Sequence, residues 1–155
     1  MPTQKLRDYL DAQHVKYVSI RHSQAFTTQE VAASTHIKGK EMAKTVMIKV
    51  DGKLAMAVLP AYSYVDLDHL KDLTGARTVA LATEREFREM FPDCEAGAMP
   101  PFGNLYGMDV YAAPKLAEDA EIAYNAGSHP EVVRMSWKDY ERLVQPKIVQ
   151  FALNP

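Results

Sequence analysis

The sequence holds one cysteine, Cys94, and no apolar run that approaches the roughly 20 residues a transmembrane helix requires. A single thiol cannot close an internal disulfide, so the fold does not depend on an oxidising compartment. The first ten residues, Met1 to Leu10, carry charges of both signs and lack the apolar stretch of a secretory signal, which sets a cytoplasmic location as the expectation. Basic excess is also missing: 18 Lys and Arg stand against 20 Asp and Glu, for a net charge of -2. That balance argues against a domain that grips long nucleic acid by its phosphates, and leaves room for one that touches a few. The five histidines, His14, His22, His36, His69 and His129, form no i,i+4 pair and no second cysteine accompanies Cys94, so a protein-bound metal is not expected. No cofactor is expected either. A Gly-x-Ser-x-Gly elbow, a P-loop and a Gly-x-Gly-x-x-Gly turn are all absent, which removes support for serine hydrolase, NTPase and dinucleotide-binding readings.

What is present is the composition of a globular protein, with 47% hydrophobic and 25% charged residues over 155 positions. One domain over residues 1–155 is expected, large enough to bury roughly 68–70% of the surface of its unfolded chain. Leu6, Tyr9 and Leu10 are at helical spacing, and Val18 to Ile20 alternates as a strand. Thr27 and Glu30 have capping-box spacing before a helix that Gly39 would end. From Lys44 to Val50 the pattern has period two, Asp51-Gly52 supplies a tight turn, and Lys53 to Leu59 returns as the partner strand. Asp66 is placed to cap a helix that ends at Gly75, and a strand follows near Thr78 to Leu81. Thr83 and Glu86 open a helix expected to turn Phe87, Met90 and Phe91 inward. Strands are expected at Met108 to Ala112, Glu121 to Tyr124 and Val132 to Met135. Ser136 and Asp139 cap a helix that stops before Pro146, and Ile148 to Leu153 reads as a final strand. The fold class is therefore α+β, with a mixed, mostly antiparallel sheet or a barrel-like sheet packed by helices.

Few residues point to chemistry. Lys44 shares strand parity with Val46, Ile48 and Val50, the face the hairpin should bury. Either it snorkels to water from the strand end, the commoner outcome for a lysine, or the face opens into a cavity where its ammonium meets an anionic or polar ligand. Lys38 and Lys40 lie just upstream, and a cluster of this size is usually a solvated face. The segment from Gly97 to Gly103 contains tandem prolines, Pro100 and Pro101. It is either a plain rigid connection or a pre-organised loop whose glycines bring backbone N–H groups close to a ligand. His22 and His129 follow strand patterns and read, each alone, as surface loop histidines. Cys94 lies between Asp93 and Glu95, which raise a thiol pKa, so it reads as an unreactive loop thiol.

Taken in order, several segments resemble the YbaK/prolyl-tRNA synthetase-associated editing domain family. They are His22-Ser23-Gln24-Ala25-Phe26-Thr27, Ala43-Lys44-Thr45, Leu59-Pro60-Ala61, the Gly97-Ala98-Met99-Pro100-Pro101 stretch at the family's Gly-x-x-x-Pro loop, and Asn125-Ala126-Gly127. The resemblance implies a freestanding deacylase that hydrolyses the ester of a tRNA mischarged with a small amino acid such as Ala, Cys, Ser or Thr. It implies catalytic roles for Lys44, which would hold the terminal adenosine or a nearby phosphate, and for Gly97. It implies substrate contacts from His22, Phe26, Thr27, Ala98, Met99, Pro100, Pro101, Gly127 and His129. The partners implied are the acceptor end of mischarged tRNA and, transiently, a synthetase, with no membrane. A non-catalytic module that binds a tRNA end, a nucleotide or a small metabolite in the same pocket is the alternative, since no general base stands out.

Overall fold

The computed structural model describes residues 3–21, 42–95 and 97–153. Helix α1 (Gln4–Ala12) starts at Thr3, whose Oγ1 accepts the Leu6 N–H at 3.3 Å and so satisfies one of the donors a helix start leaves open. Its Leu6 and Leu10, four apart, are fully buried. Strand β1 (Tyr17–Arg21) follows. Strands β2 (Ala43–Val50) and β3 (Lys53–Pro60) form the expected hairpin, with Asp51 and Gly52 at φ of 50° and 82°, the left-handed pair that a two-residue turn of this type demands. After β4 (Tyr64–Val65) comes α2 (Leu67–Thr74), capped by Asp66 and closed by left-handed Gly75. The Asp51 carboxylate then accepts the N–H groups of Arg77 and Thr78 at 2.8 and 3.0 Å, tying the hairpin turn to β5 (Val79–Leu81).

The segment opened by Thr83 winds differently from the expectation. Helix α3 (Glu84–Phe87) lasts one turn and tightens into a 3-10 turn over Arg88–Met90. Phe87, at φ of -122°, departs from helical geometry, so the residues after it no longer follow the α-helical register. Both phenylalanines are buried, and Met90 is 40% exposed. Strands β6 (Asp109–Ala112), β7 (Glu121–Asn125) and β8 (Glu131–Ser136) and helix α4 (Trp137–Val144) match their sequence patterns. The final strand divides into β9 (Lys147–Ile148) and β10 (Ala152–Leu153), because Phe151 between them turns into the core.

The strands form a mixed five-stranded sheet in the order β5-β2-β3-β6-β9, an antiparallel sheet β1-β8-β7, and the pair β10-β4. Contacts β3–β6 and β6–β9 are parallel, and among the described residues the sheets do not close into a barrel. A single parallel bridge, Met42 to Ala123, links the entry of β2 to β7. Alternation along the central hairpin divides the core in two. Ala43, Met47, Met56 and Val58 face the larger cluster, with α1, α4, β7 and β8. Ile48, Ala55, Ala57 and Leu59 face the smaller one, with Leu70 of α2 and Phe151. Among the described residues no helix is long and apolar enough to cross a membrane.

Candidate active site

Two loops meet beyond the ends of β7 and β8. The Glu95 N–H donates to the Gly127 carbonyl at 2.7 Å, and the Gly127 N–H donates to the Ala98 carbonyl at 2.8 Å, so Glu95 and Ala98 are each tied backbone to backbone to Gly127. Gly127 has φ of 104°, and a β-carbon there would lie 2.3 Å from Thr3 Cγ2, so this approach admits only glycine. The His129 N–H donates to the Glu95 carboxylate at 3.3 Å, while the Asn125 amide donates to the His129 carbonyl at 3.0 Å. These bonds hold His129 at the mouth of the joined loops. Its Cε1 is 3.7 Å from the position a Gly97 β-carbon would take, and Gly97 itself is exposed with φ of 80°.

The rest of the proline-containing loop turns inward. Ala98, Met99, Pro100 and Pro101 are buried, with Met99 in the larger core cluster. The Tyr140 hydroxyl, fully buried on α4, donates to the Pro101 carbonyl at 2.7 Å and pins the loop's far end. Pro100 and Pro101 have no N–H to offer, which leaves three donors in this stretch. The Ala98 N–H closes a turn on the Glu95 carbonyl at 3.0 Å. Among the described residues, neither the Gly97 nor the Met99 N–H donates to an acceptor. Two N–H groups with no acceptor among the described residues, on a loop held by hydrogen bonds at both ends, are donors available to an anion or a carbonyl oxygen.

Lys44 is the second residue of β2. Opposite Leu59 in register, it shares the face of the smaller cluster, whereas Met99 belongs to the larger cluster on the other face. It is half-buried, and this burial pushes its pKa below the ordinary lysine value. Its ammonium stands 5.3 Å from the centre of the Tyr64 ring. Among the described residues no carboxylate pairs with it. Sequence reasoning did not single out Tyr64, since a two-residue strand carries no periodic signal. His22, Phe26 and Thr27, together with Lys38 and Lys40, lie outside the described residues. Cys94 is pushed up to about 11, first by burial and then by the Asp93 charge, which fits an inert thiol. No group of metal-ligating side chains occurs among the described residues. An open groove beside β1 and β8, with His14, Lys16 and Arg134 in its lining, contains neither Lys44 nor any residue of the Gly97 loop.

A family model for the aminoacyl-tRNA editing domain matches residues 22–143, most of the chain. The chain belongs to that family. Within it, the multifunctional Ser/Thr-tRNA deacylase ProXp-y of Escherichia coli (strain K12) is 34% identical over 127 residues, covering 77% of this chain and 75% of that protein. The proline–tRNA ligase of Bacillus mycoides (strain KBAB4) is 30% identical over 84 residues, 54% of this chain and 15% of the ligase, so the likeness reaches one part of a much longer enzyme. Solved structures share the fold at lower identity. The hypothetical protein APE2540 superposes with a TM-score of 0.85 at 17% identity, over 96% of this chain and 99% of its own. A candidate trans-editing enzyme for prolyl tRNA synthetase gives 0.82 at 19% identity, over 98% and 96%.

Proposed function

We propose that this editing domain is a freestanding deacylase that clears tRNA mischarged with a small amino acid, with serine and threonine the first candidates. Family membership supports ester hydrolysis of aminoacyl-tRNA, and the Ser/Thr-tRNA deacylase at 34% identity supports that choice of amino acid. The single observation that carries the chemistry is the pair of N–H groups at Gly97 and Met99, on a loop pinned by Tyr140 and by the Gly127 backbone.

An aminoacyl ester is already activated, so fixed donors and correct placement supply much of the required stabilisation. Water adds to the ester carbonyl carbon, and the oxygen that gains negative charge is held by the Gly97 and Met99 N–H groups. The bond from that carbon to the ribose oxygen then breaks, and the ribose oxygen takes up the proton that the water loses. The products are a free amino acid and a tRNA with its terminal hydroxyl restored. Lys44 acts by charge and position on the nucleotide end, and His129 shapes the mouth of the loop beside Gly97. The buried Ala98, Pro100 and Pro101 act through the backbone they rigidify. His22, Phe26 and Thr27 complete the substrate-binding set. A protein of net charge -2 with this small footprint acts on the acceptor end alone, and it meets its substrate by transient association with a prolyl-tRNA synthetase or after the substrate's release.

The test is deacylation of a panel of tRNAs charged with Ala, Cys, Ser or Thr. Turnover of at least one above the buffer rate supports the enzyme. Saturable binding with no turnover of any would replace it with the non-catalytic binding module.

A further inference from the structure

Tyr64 is the most exposed large apolar side chain among the described residues, at 59%, yet its backbone is firmly held. It pairs with Leu153 across β4 and β10, the Ser63 N–H beside it donates to the Pro60 carbonyl at 3.0 Å, and the Asp66 N–H donates to the Phe151 carbonyl at 2.8 Å. An aromatic ring left in water on a fixed backbone is an available stacking surface, since every nucleic acid base has a π-face to set against it. The Lys44 ammonium lies 5.3 Å from the ring centre, close enough for a cation–π contact, and among the described residues it has no carboxylate partner. A planar apolar surface beside a cation matches a nucleotide, which presents a planar base and an anionic phosphate a few ångströms apart. A peptide strand would satisfy neither group as well.

We propose that Tyr64 is the stacking platform for the base of the 3′-terminal nucleotide of tRNA, with Lys44 on the same nucleotide's ribose or phosphate. This rests on the editing reading, because the ester to be cleaved is carried by that nucleotide's ribose. Fixing the base fixes the ester's approach to the protein without any contact to the reacting atoms. The contribution is the same in the ground and transition states, so it falls on KM and leaves kcat nearly unchanged.

The experiment uses an uncharged tRNA minihelix with 2-aminopurine as its 3′-terminal base, whose fluorescence is quenched on stacking, titrated with the wild-type protein, Tyr64→Ala, Tyr64→Leu and Tyr64→Phe. The wild type and Tyr64→Phe should quench. Tyr64→Ala, and Tyr64→Leu, which keeps an apolar neighbour for Leu153, should lose the quench and bind roughly fivefold to 150-fold more weakly. An undiminished quench in Tyr64→Ala overturns the platform, as does an equal loss in Tyr64→Phe. Hydrolysis of mischarged tRNA by a wild type that shows no Tyr64-dependent quench removes the platform and leaves the editing reading standing. Tyr64-dependent quenching by a wild type that hydrolyses nothing does the reverse.

Discussion

The imidazole of His129 borders the space into which a side chain on Gly97 would project, with Cε1 3.7 Å from the ideal β-carbon position. That separation is ordinary van der Waals contact, so steric conflict with His129 is minor. The strain of Gly97→Ala lies in its φ of 80°, worth about 1–2 kcal/mol for a residue with a β-carbon. The melting temperature should drop by about 3–6 °C at this chain length. Relaxation toward negative φ would swing the Gly97 and Met99 N–H groups away from the ester, and kcat should fall by roughly tenfold or more. A variant that melts lower while its folded fraction keeps wild-type turnover would reduce the loop to a structural connection.

Gly127 is the stricter position. Its missing β-carbon would meet Thr3 Cγ2 at 2.3 Å, and its φ of 104° adds backbone strain. Overpacking of about 1–3 kcal/mol and left-handed strain of about 1–2 kcal/mol predict a melting temperature lower by about 6–15 °C for Gly127→Ala. Thr3→Ser removes Cγ2 and keeps the hydroxyl that caps α1. Added to Gly127→Ala, it should recover the steric share of the loss and none of the backbone share, as read from the thermal melts of the two single variants and the double.

Lys44 is held at a cost to stability. Its folded pKa lies below the unfolded value because burial disfavours the ammonium. Between those two pKa values the unfolded chain binds more protons than the folded one, so this group's contribution to stability rises with pH through the alkaline window. At neutral pH the ammonium is carried at its full desolvation penalty. Lys44→Met should therefore raise the melting temperature at pH 7 while lowering deacylation by roughly tenfold or more. The wild type should also lose activity on the alkaline side below the usual lysine pKa, measured after subtraction of spontaneous ester hydrolysis.

Tyr140 reaches Pro101 from a fully buried position, through a hydrogen bond of 2.7 Å. Tyr140→Phe keeps the ring contacts with Phe102 and Trp137 and removes the donor. The bond and the stranded carbonyl together are worth about 1–3 kcal/mol, so the melting temperature should fall by about 3–9 °C. Release of the loop's far end should lower kcat more than it raises KM, which steady-state kinetics separates.

The regular parts of this fold were legible because their signals are local. Asp51-Gly52 specifies its turn by backbone conformation, Ser136 and Asp66 cap helices within three residues, and the period-two run from Ala43 to Val50 sorts its side chains between two clusters. The site was legible in part. Lys44 stood out because a charge shares a face with three aliphatic residues, and Gly97 because of the prolines beside it. What brings Gly97 to His129 is a pair of backbone hydrogen bonds between segments some 30 residues apart, and backbone pairing of loops leaves no trace in side-chain pattern. Tyr64 does not stand out in the sequence for a related reason: it is placed beside Lys44, 20 positions away, only by the fold. Met90 differs from its expected inward position because the break in helical geometry at Phe87 is not encoded in apolar spacing.

The most direct test is single-turnover hydrolysis of seryl- or threonyl-tRNA by the wild-type protein and by Lys44→Ala, followed as release of the labelled amino acid. The account predicts a rate well above the buffer control for the wild type and a loss of roughly tenfold or more in the variant. Equal rates for the two proteins, or a wild-type rate no faster than buffer with every amino acid in the panel, would contradict it.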